Sequence, residues 1–84
     1  MVTDNPTGHR FELSVTGETA FLDYERTNDT LTLNHTEVPE TLRGRNIGDI
    51  LVQAALQSAR GAGLRVIAIC PFVKAYMRRH PAMQ

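Results

Sequence analysis

Between residues 30 and 70 the chain changes periodicity twice, and this constrains the fold more than any other feature. Residues 30–38 (TLTLNHTEV) alternate with period two. Leu31, Leu33, His35 and Glu37 fall on one face of such a strand, and Thr32, Asn34, Thr36 and Val38 on the other. Pro39 ends the strand. From about residue 46 to residue 62 the apolar positions Ile47, Ile50, Leu51, Ala54 and Ala55 recur with helical spacing. Val52, Leu56 and Ala59 widen that stripe, so most of the helix is expected to be covered. GAG at residues 61–63 supplies a helix stop. LRVIAIC at residues 64–70 is nearly all apolar and β-branched, which predicts an interior strand buried on both faces. Strand, helix and buried strand in that order imply a right-handed β-α-β crossover.

The flanking segments complete a single domain. Residues 10–15 and 20–26 alternate in polarity, with Phe11, Leu13 and Val15 on one face of the first and Ala20, Leu22 and Tyr24 on one face of the second. TGET and TNDT read as tight connections, so these two strands and residues 30–38 form an antiparallel meander. Pro71 suits the first turn of a last helix, PFVKAYMRRH, which Pro81 ends. Residues 1–9 are polar, contain Pro6 and Gly8, and read as a flexible tail. The expected class is α/β: a mixed sheet of three antiparallel strands plus the β-α-β crossover and a C-terminal helix, over residues 10–84. A chain of 84 residues has a small core, burying about 60–65% of its unfolded surface.

Composition narrows the functional classes. Nine basic and nine acidic residues cancel, and aromatic residues are few, which argues against a nucleic-acid partner. With a single cysteine, Cys70, no internal disulfide framework or Cys-rich zinc site can form, and His9, His35 and His80 are too widely separated for a zinc pair, so no metal is expected. No apolar run approaches the ~20 residues that span a bilayer. The expectation is a cytoplasmic domain without a membrane partner, monomeric or a weak homodimer, in which a partner would cover an open sheet edge.

The loop RGRNIG, residues 43–48, stands at the mouth of the long helix. A helix N-terminus leaves about four N–H groups without intrahelical partners and carries partial positive charge. Gly44 and Gly48 remove side chains where a ligand would approach. Asn46 tolerates a left-handed backbone, and Arg43 and Arg45 are permanent cations. Together these favour a phosphate or pyrophosphate. The plain alternative is a polar loop with arginines in water. The loop matches neither the P-loop nor the dinucleotide fingerprint.

RGRNIG resembles the R-x-x-G-x-G/A acetyl-CoA signature of the GNAT family of N-acetyltransferases. HTEVPETLRGRNIG and CPFVKAYMRRHP together are similar to the very small GNAT-like proteins that keep little beyond the acetyl-CoA-binding core. The resemblance runs over roughly residues 10–81. It implies acetyl-CoA as cosubstrate, held by Val38, Arg43, Gly44, Arg45, Asn46, Ile47, Gly48, Tyr76 and Arg79, and an amine acceptor that the sequence does not identify. It also implies a minimal GNAT-like fold with His35 and Cys70 in the active site. Asn46 departs from the pattern, which has glycine there. Its side chain either crowds the phosphates or donates a hydrogen bond to them.

Acetyl transfer to an amine needs a fixed thioester, a neutral amine and a stabilised oxyanion. His35 suits a general base; its plain alternative is a histidine on a sheet face. Cys70 precedes a proline-started helix, where the helix terminus favours the thiolate; its plain alternative is a small buried hydrophobe. Two routes follow: direct transfer with His35 taking the amine proton, which we favour with Cys70 near the thioester, or a two-step route through an acyl-Cys70 with His35 as its base. Glu37 can orient His35 or simply face water. Tyr76 is a candidate proton donor to the departing thiolate or else core, and Arg79, within the basic run of Lys74, Arg78 and His80, reaches for the cofactor's 3′-phosphate or caps a solvated helix end. A CoA-binding module without efficient transferase activity is the second reading of the whole chain.

Overall fold

The computed structural model describes residues 1–81. Its elements are β1 (Thr3–Asn5), β2 (Arg10–Val15), β3 (Glu18–Arg26), β4 (Thr30–Glu37), a 3₁₀ turn (Glu40–Leu42), α1 (Ile47–Ala62), β5 (Arg65–Ala68) and α2 (Pro71–Arg79). The described sheet has five strands in the order β1-β2-β3-β4-β5, antiparallel except for the parallel pair β4–β5. The α/β class, the meander and the crossover are as the sequence implies.

Three features differ from the sequence reading. Residues 3–5, taken as part of a tail, pair with residues 10–12 of β2 as a fifth strand. Tyr24 anchors them: its hydroxyl donates to Asp4 Oδ1 at 2.6 Å. Burial first, then the Asp4 carboxylate, pushes the Tyr24 phenol up to about 12. A three-residue polar strand has too little alternation to show as a period, which is why it reads as tail.

β5 is an edge strand, not an interior one. Only β4 pairs with it, and Ile67 and Ile69 are 47% and 54% exposed. Val66 and Ala68 turn to the core and Ile67 and Ile69 to the uncovered face. A short apolar run looks the same in sequence whether one or both faces are covered.

β4 carries a bulge. Asp23 pairs with His35, but the next residue, Tyr24, pairs with Leu33, so Asn34 is the extra residue. Strict alternation would leave His35 and Glu37 beside Leu31 and Leu33. The bulge reverses the order. Thr36 now lies opposite Leu22 on the covered face, and His35 and Glu37 lie opposite Asp23 and Phe21 on the open face.

The core lies between the covered face of the sheet and α1. Leu22 and Leu33 from the sheet and Leu51, Val52 and Ala55 from α1 are essentially inaccessible. Burial of such side chains contributes about 1.5–3 kcal/mol each before entropy is counted. α2 adds Cys70, Val73 and Tyr76 to the same cluster. β4 therefore sits at the centre of three contacts: β3 on one edge, β5 on the other, and α1 above.

Candidate functional site

Where β4 and β5 part, a cleft opens. Their ladder ends at Leu33–Ala68, and the Leu33 carbonyl accepts from both Ile69 N–H (2.9 Å) and Cys70 N–H (3.1 Å). Pro71 then starts α2 and carries the chain away. β4 continues to Glu37, paired on its other edge with β3. Beyond Leu33 no described strand pairs with the β5-side edge of β4, so that stretch of backbone opens onto the cleft.

The cleft has a volume of about 390 Å³, within the range of small-ligand sites. Thr36, Glu37 and Val38 at the end of β4 form one wall. The loop residues Leu42, Arg43, Gly44 and Asn46, with Ile47, Gly48 and Asp49 of the first turn of α1, form the second. Phe72 of α2 forms the third.

The loop is shaped for this position. Gly44 has φ +83° and Asn46 is left-handed at φ 58°, ψ 22°. The Arg43 side chain lies back along the cleft, its Nε donating to the Val38 carbonyl at 3.4 Å. Thr41 is hydrogen-bonded to Glu18, tying the preceding turn to β3. No side chain caps α1, and its first helical bond runs from Ile50 N–H to the Asn46 carbonyl at 3.0 Å. The N–H groups of the first turn therefore meet the cleft uncapped, at the positive end of the helix. Asp49 also stands in that turn, with its carboxylate held by Arg79 Nη2 at 3.4 Å. An anion approaching the loop thus meets the dipole and two exposed arginines, against two carboxylates, Asp49 paired with Arg79 and Glu37 paired with His35.

Of the residues singled out in the sequence, Val38, Arg43, Gly44, Asn46, Ile47 and Gly48 line the cleft. Arg45 is exposed beside it, and Arg79 meets it only through Asp49. Tyr76 lies on the core side of α2, 5% exposed and stacked on His80 with ring centroids 4.3 Å apart. Cys70 is buried under the cleft, its Sγ 3.6 Å from the Thr36 hydroxyl. Burial works to raise the Cys70 pKa and is the largest single influence. Hydrogen bonds from the Val73 N–H, the Thr36 side chain, the Phe72 N–H and the Thr36 backbone outweigh it, and the net shift is downward. His35 is on the other face of the sheet, its Nε2 3.2 Å from Glu37 Oε1 and its ring 6.3 Å from that of Phe21. The bulge thus puts adjacent residues on opposite sides: Thr36 with Cys70, His35 with Glu37.

Thr36, Leu42, Asp49 and Phe72 are cleft residues that the sequence does not mark as functional. Thr36 and Phe72 lie inside the quoted stretches HTEV and CPFV. Their signal was present, but a threonine beside a histidine and a phenylalanine in a helix both read as scaffold. Among the described residues no three His, Cys, Asp or Glu side chains cluster as a metal site, and no helix is long and apolar enough to cross a membrane.

A mixed sheet whose parallel pair splays open beside an uncapped, arginine-flanked helix start defines a small α/β domain with a cleft at the head of its long helix. The family model for GCN5-related N-acetyl-transferase matches residues 10–84, and the chain belongs to that family. Among curated proteins it is similar to Protein NATD1 of Xenopus tropicalis, 34% identical over 55 residues, which covers 66% of this chain and 50% of that protein. It is also 36% identical over 52 residues to Protein NATD1 of Gallus gallus and of Homo sapiens, covering 62% of this chain and 47% and 46% of theirs. The chain spans about half the length of the curated relatives it matches.

Proposed function

We propose that this chain is an acetyl-CoA-dependent N-acetyltransferase acting on an amine. The observation that carries the reading is the cleft between the unpaired end of β4 and the uncapped start of α1. The pyrophosphate lies at the first turn of α1, between Gly44, Asn46 and Gly48, with Arg43 and Arg45 offsetting its charge. The arm of the cofactor runs along the β4 edge past Val38 and Ile47, using backbone groups that no strand takes up. Arg79, already at the rim through Asp49, reaches an outer phosphate. The thioester then stops beside Thr36 and Cys70.

Direct transfer is the route we favour, because it asks His35 to reach a proton and not the Cys70 thiol. The amine nitrogen attacks the thioester carbonyl, its proton passes through water to His35 on the open face of the sheet, and the CoA thiolate departs. The two-step route needs His35 to act on Cys70, but the hydrogen-bond partners of Cys70 are Thr36 and the first N–H groups of α2, while His35 pairs with Glu37 on the other face. Cys70 is assigned to the wall beside the thioester.

A CoA-binding module that transfers acetyl groups poorly is the second reading. It is favoured by the 58% exposure of the His35 side chain, which leaves base and amine in bulk water where preorganised electrostatics are weak. Titration of isotope-labelled protein with acetyl-CoA, followed by an amine screen and intact mass, tests both. Shifts over residues 36–38 and 43–49 with acetylated product support the enzyme. The same shifts with no product support the module. An absence of shifts at millimolar ligand refutes both.

A further inference from the structure

Gly48 has no conformational reason to be glycine. It lies within the first turn of α1 with ordinary helical backbone, where alanine would make a better helix. The reason is the space beside it. A Cβ there would lie 2.7 Å from Phe72 Cζ and 2.9 Å from Cε2, closer than real Cβ atoms come. The ring of Phe72 is seated on the bare Cα.

That ring is not simply core. Phe11 and Tyr24 are 4% and 6% exposed, whereas Phe72 is 39% exposed and lines the cleft. It lies in the first turn of α2, two residues after the N-cap Cys70, which touches Thr36 of β4 at 3.6 Å. One turn of α2 therefore reaches β4 through Cys70 and α1 through Phe72. It stands over the cleft between the candidate acyl end and the candidate phosphate end, and presents an apolar surface there.

The geometry points to Phe72 as a ligand-contacting residue: its ring, held against Gly48, is the wall on which the pantetheine arm of a bound acyl-CoA lies, and Gly48 is bare to admit the ring rather than a phosphate. This assignment rests on the cofactor reading of the cleft. The arm, with its methylenes, methyl groups and amides, suits an aromatic wall facing a free strand edge. Displacing the ring should cost affinity for the arm and spare the nucleotide.

The test is a double-mutant cycle with two ligands, CoA and its nucleotide half alone, 3′-phospho-ADP, read by calorimetry or NMR titration. Phe72→Ala is expected to weaken CoA by about tenfold and leave the nucleotide within about twofold. Gly48→Ala pushes the ring into the cleft and weakens CoA by at least as much. Because the half-exposed ring can swing, this variant is expected to stay folded, which a thermal melt verifies. In Gly48→Ala/Phe72→Ala there is no ring to displace, so CoA affinity should equal that of Phe72→Ala alone. Additive losses in the double variant would show that a phosphate needs the bare Cα, and would overturn the inference. Equal losses for CoA and for the nucleotide, or no loss in Phe72→Ala, would overturn it too. Wild-type protein that binds neither ligand would instead overturn the cofactor reading, and this inference with it.

Discussion

Gly17 and Gly44 allow the cleft to be separated from the scaffold. Gly17 turns the β2–β3 connection at φ +82°; Gly44 turns the cleft loop at φ +83°. A Cβ at either would meet nothing within 4 Å, so alanine costs both sites only backbone strain. Left-handed backbone costs an L-residue about 1–2 kcal/mol. The reduced freedom of the unfolded chain returns about 0.4–1 kcal/mol. Each variant should therefore lose about 1 kcal/mol, or about 4–8 °C of melting temperature for a domain of this size. The two melts should nearly coincide. Titration with CoA should then divide them. Gly44→Ala either keeps its strained loop, with a methyl group facing the ligand, or relaxes and carries Arg43 away from the Val38 carbonyl. Either outcome weakens CoA by about tenfold, equivalent to ~1.4 kcal/mol. Gly17→Ala, which does not line the cleft, should bind within about twofold of wild type. Matched melts with matched affinities would refute the assignment of this loop to the ligand. A much larger melting loss in Gly44→Ala would refute the strain arithmetic.

Two further perturbations follow from the groups whose ionisation the fold shifts. Thr36→Val keeps the shape beside Cys70 and removes a hydroxyl that helps to lower its pKa, so thiol alkylation should shift to higher pH and slow at neutral pH, measured by mass spectrometry against time; an unchanged profile would show that the hydroxyl does not act on the thiol. The Tyr24 phenol is raised from 10 to about 12 in the folded chain. The folded state thus holds the proton more tightly than the unfolded one, so its stabilisation is complete below pH 10 and is lost as pH rises from 10 towards 12. Urea melts of wild type and Tyr24→Phe should converge over that window, and parallel curves would show that neither burial nor Asp4 raises the phenol in the folded chain.

The sequence displays what repeats and hides what interrupts. Ile47, Leu51, Ala55 and their neighbours mark α1 because helical spacing persists over four turns, and the observed helix begins one residue after the expected start, with Asn46 as its N-cap. Arg43, Gly44 and Asn46 stand out because each is unusual at a helix mouth for a separate physical reason, and all three line the cleft. The edge position of β5 is not legible. Ile67 and Ile69 have the same side chains whether or not a layer covers them, and strand order is a property of the whole sheet. The 3–5 strand is held by Tyr24, about twenty residues away, and no local window contains that contact.

The bulge at Asn34 is the most consequential of these interruptions. Period two is reliable only while every residue of a strand has one partner, and a single unpaired residue inverts all that follow. Up to Leu33 the alternation of β4 is as the sequence implies. After Asn34 it is reversed, and the reversal falls just where β5 leaves. The two events serve the same site. Without the bulge, Thr36 would face away from Cys70 and the His35 imidazole would lie in the core layer beside Leu33, where its ring nitrogens would need buried partners. With it, a small hydroxyl meets the thiol under the cleft and the imidazole reaches water and Glu37. On the proposed function, a base that accepts a proton from an incoming amine needs that access. Insertion of one residue is therefore enough to set Thr36 and Cys70 on one side of β4 and His35 and Glu37 on the other.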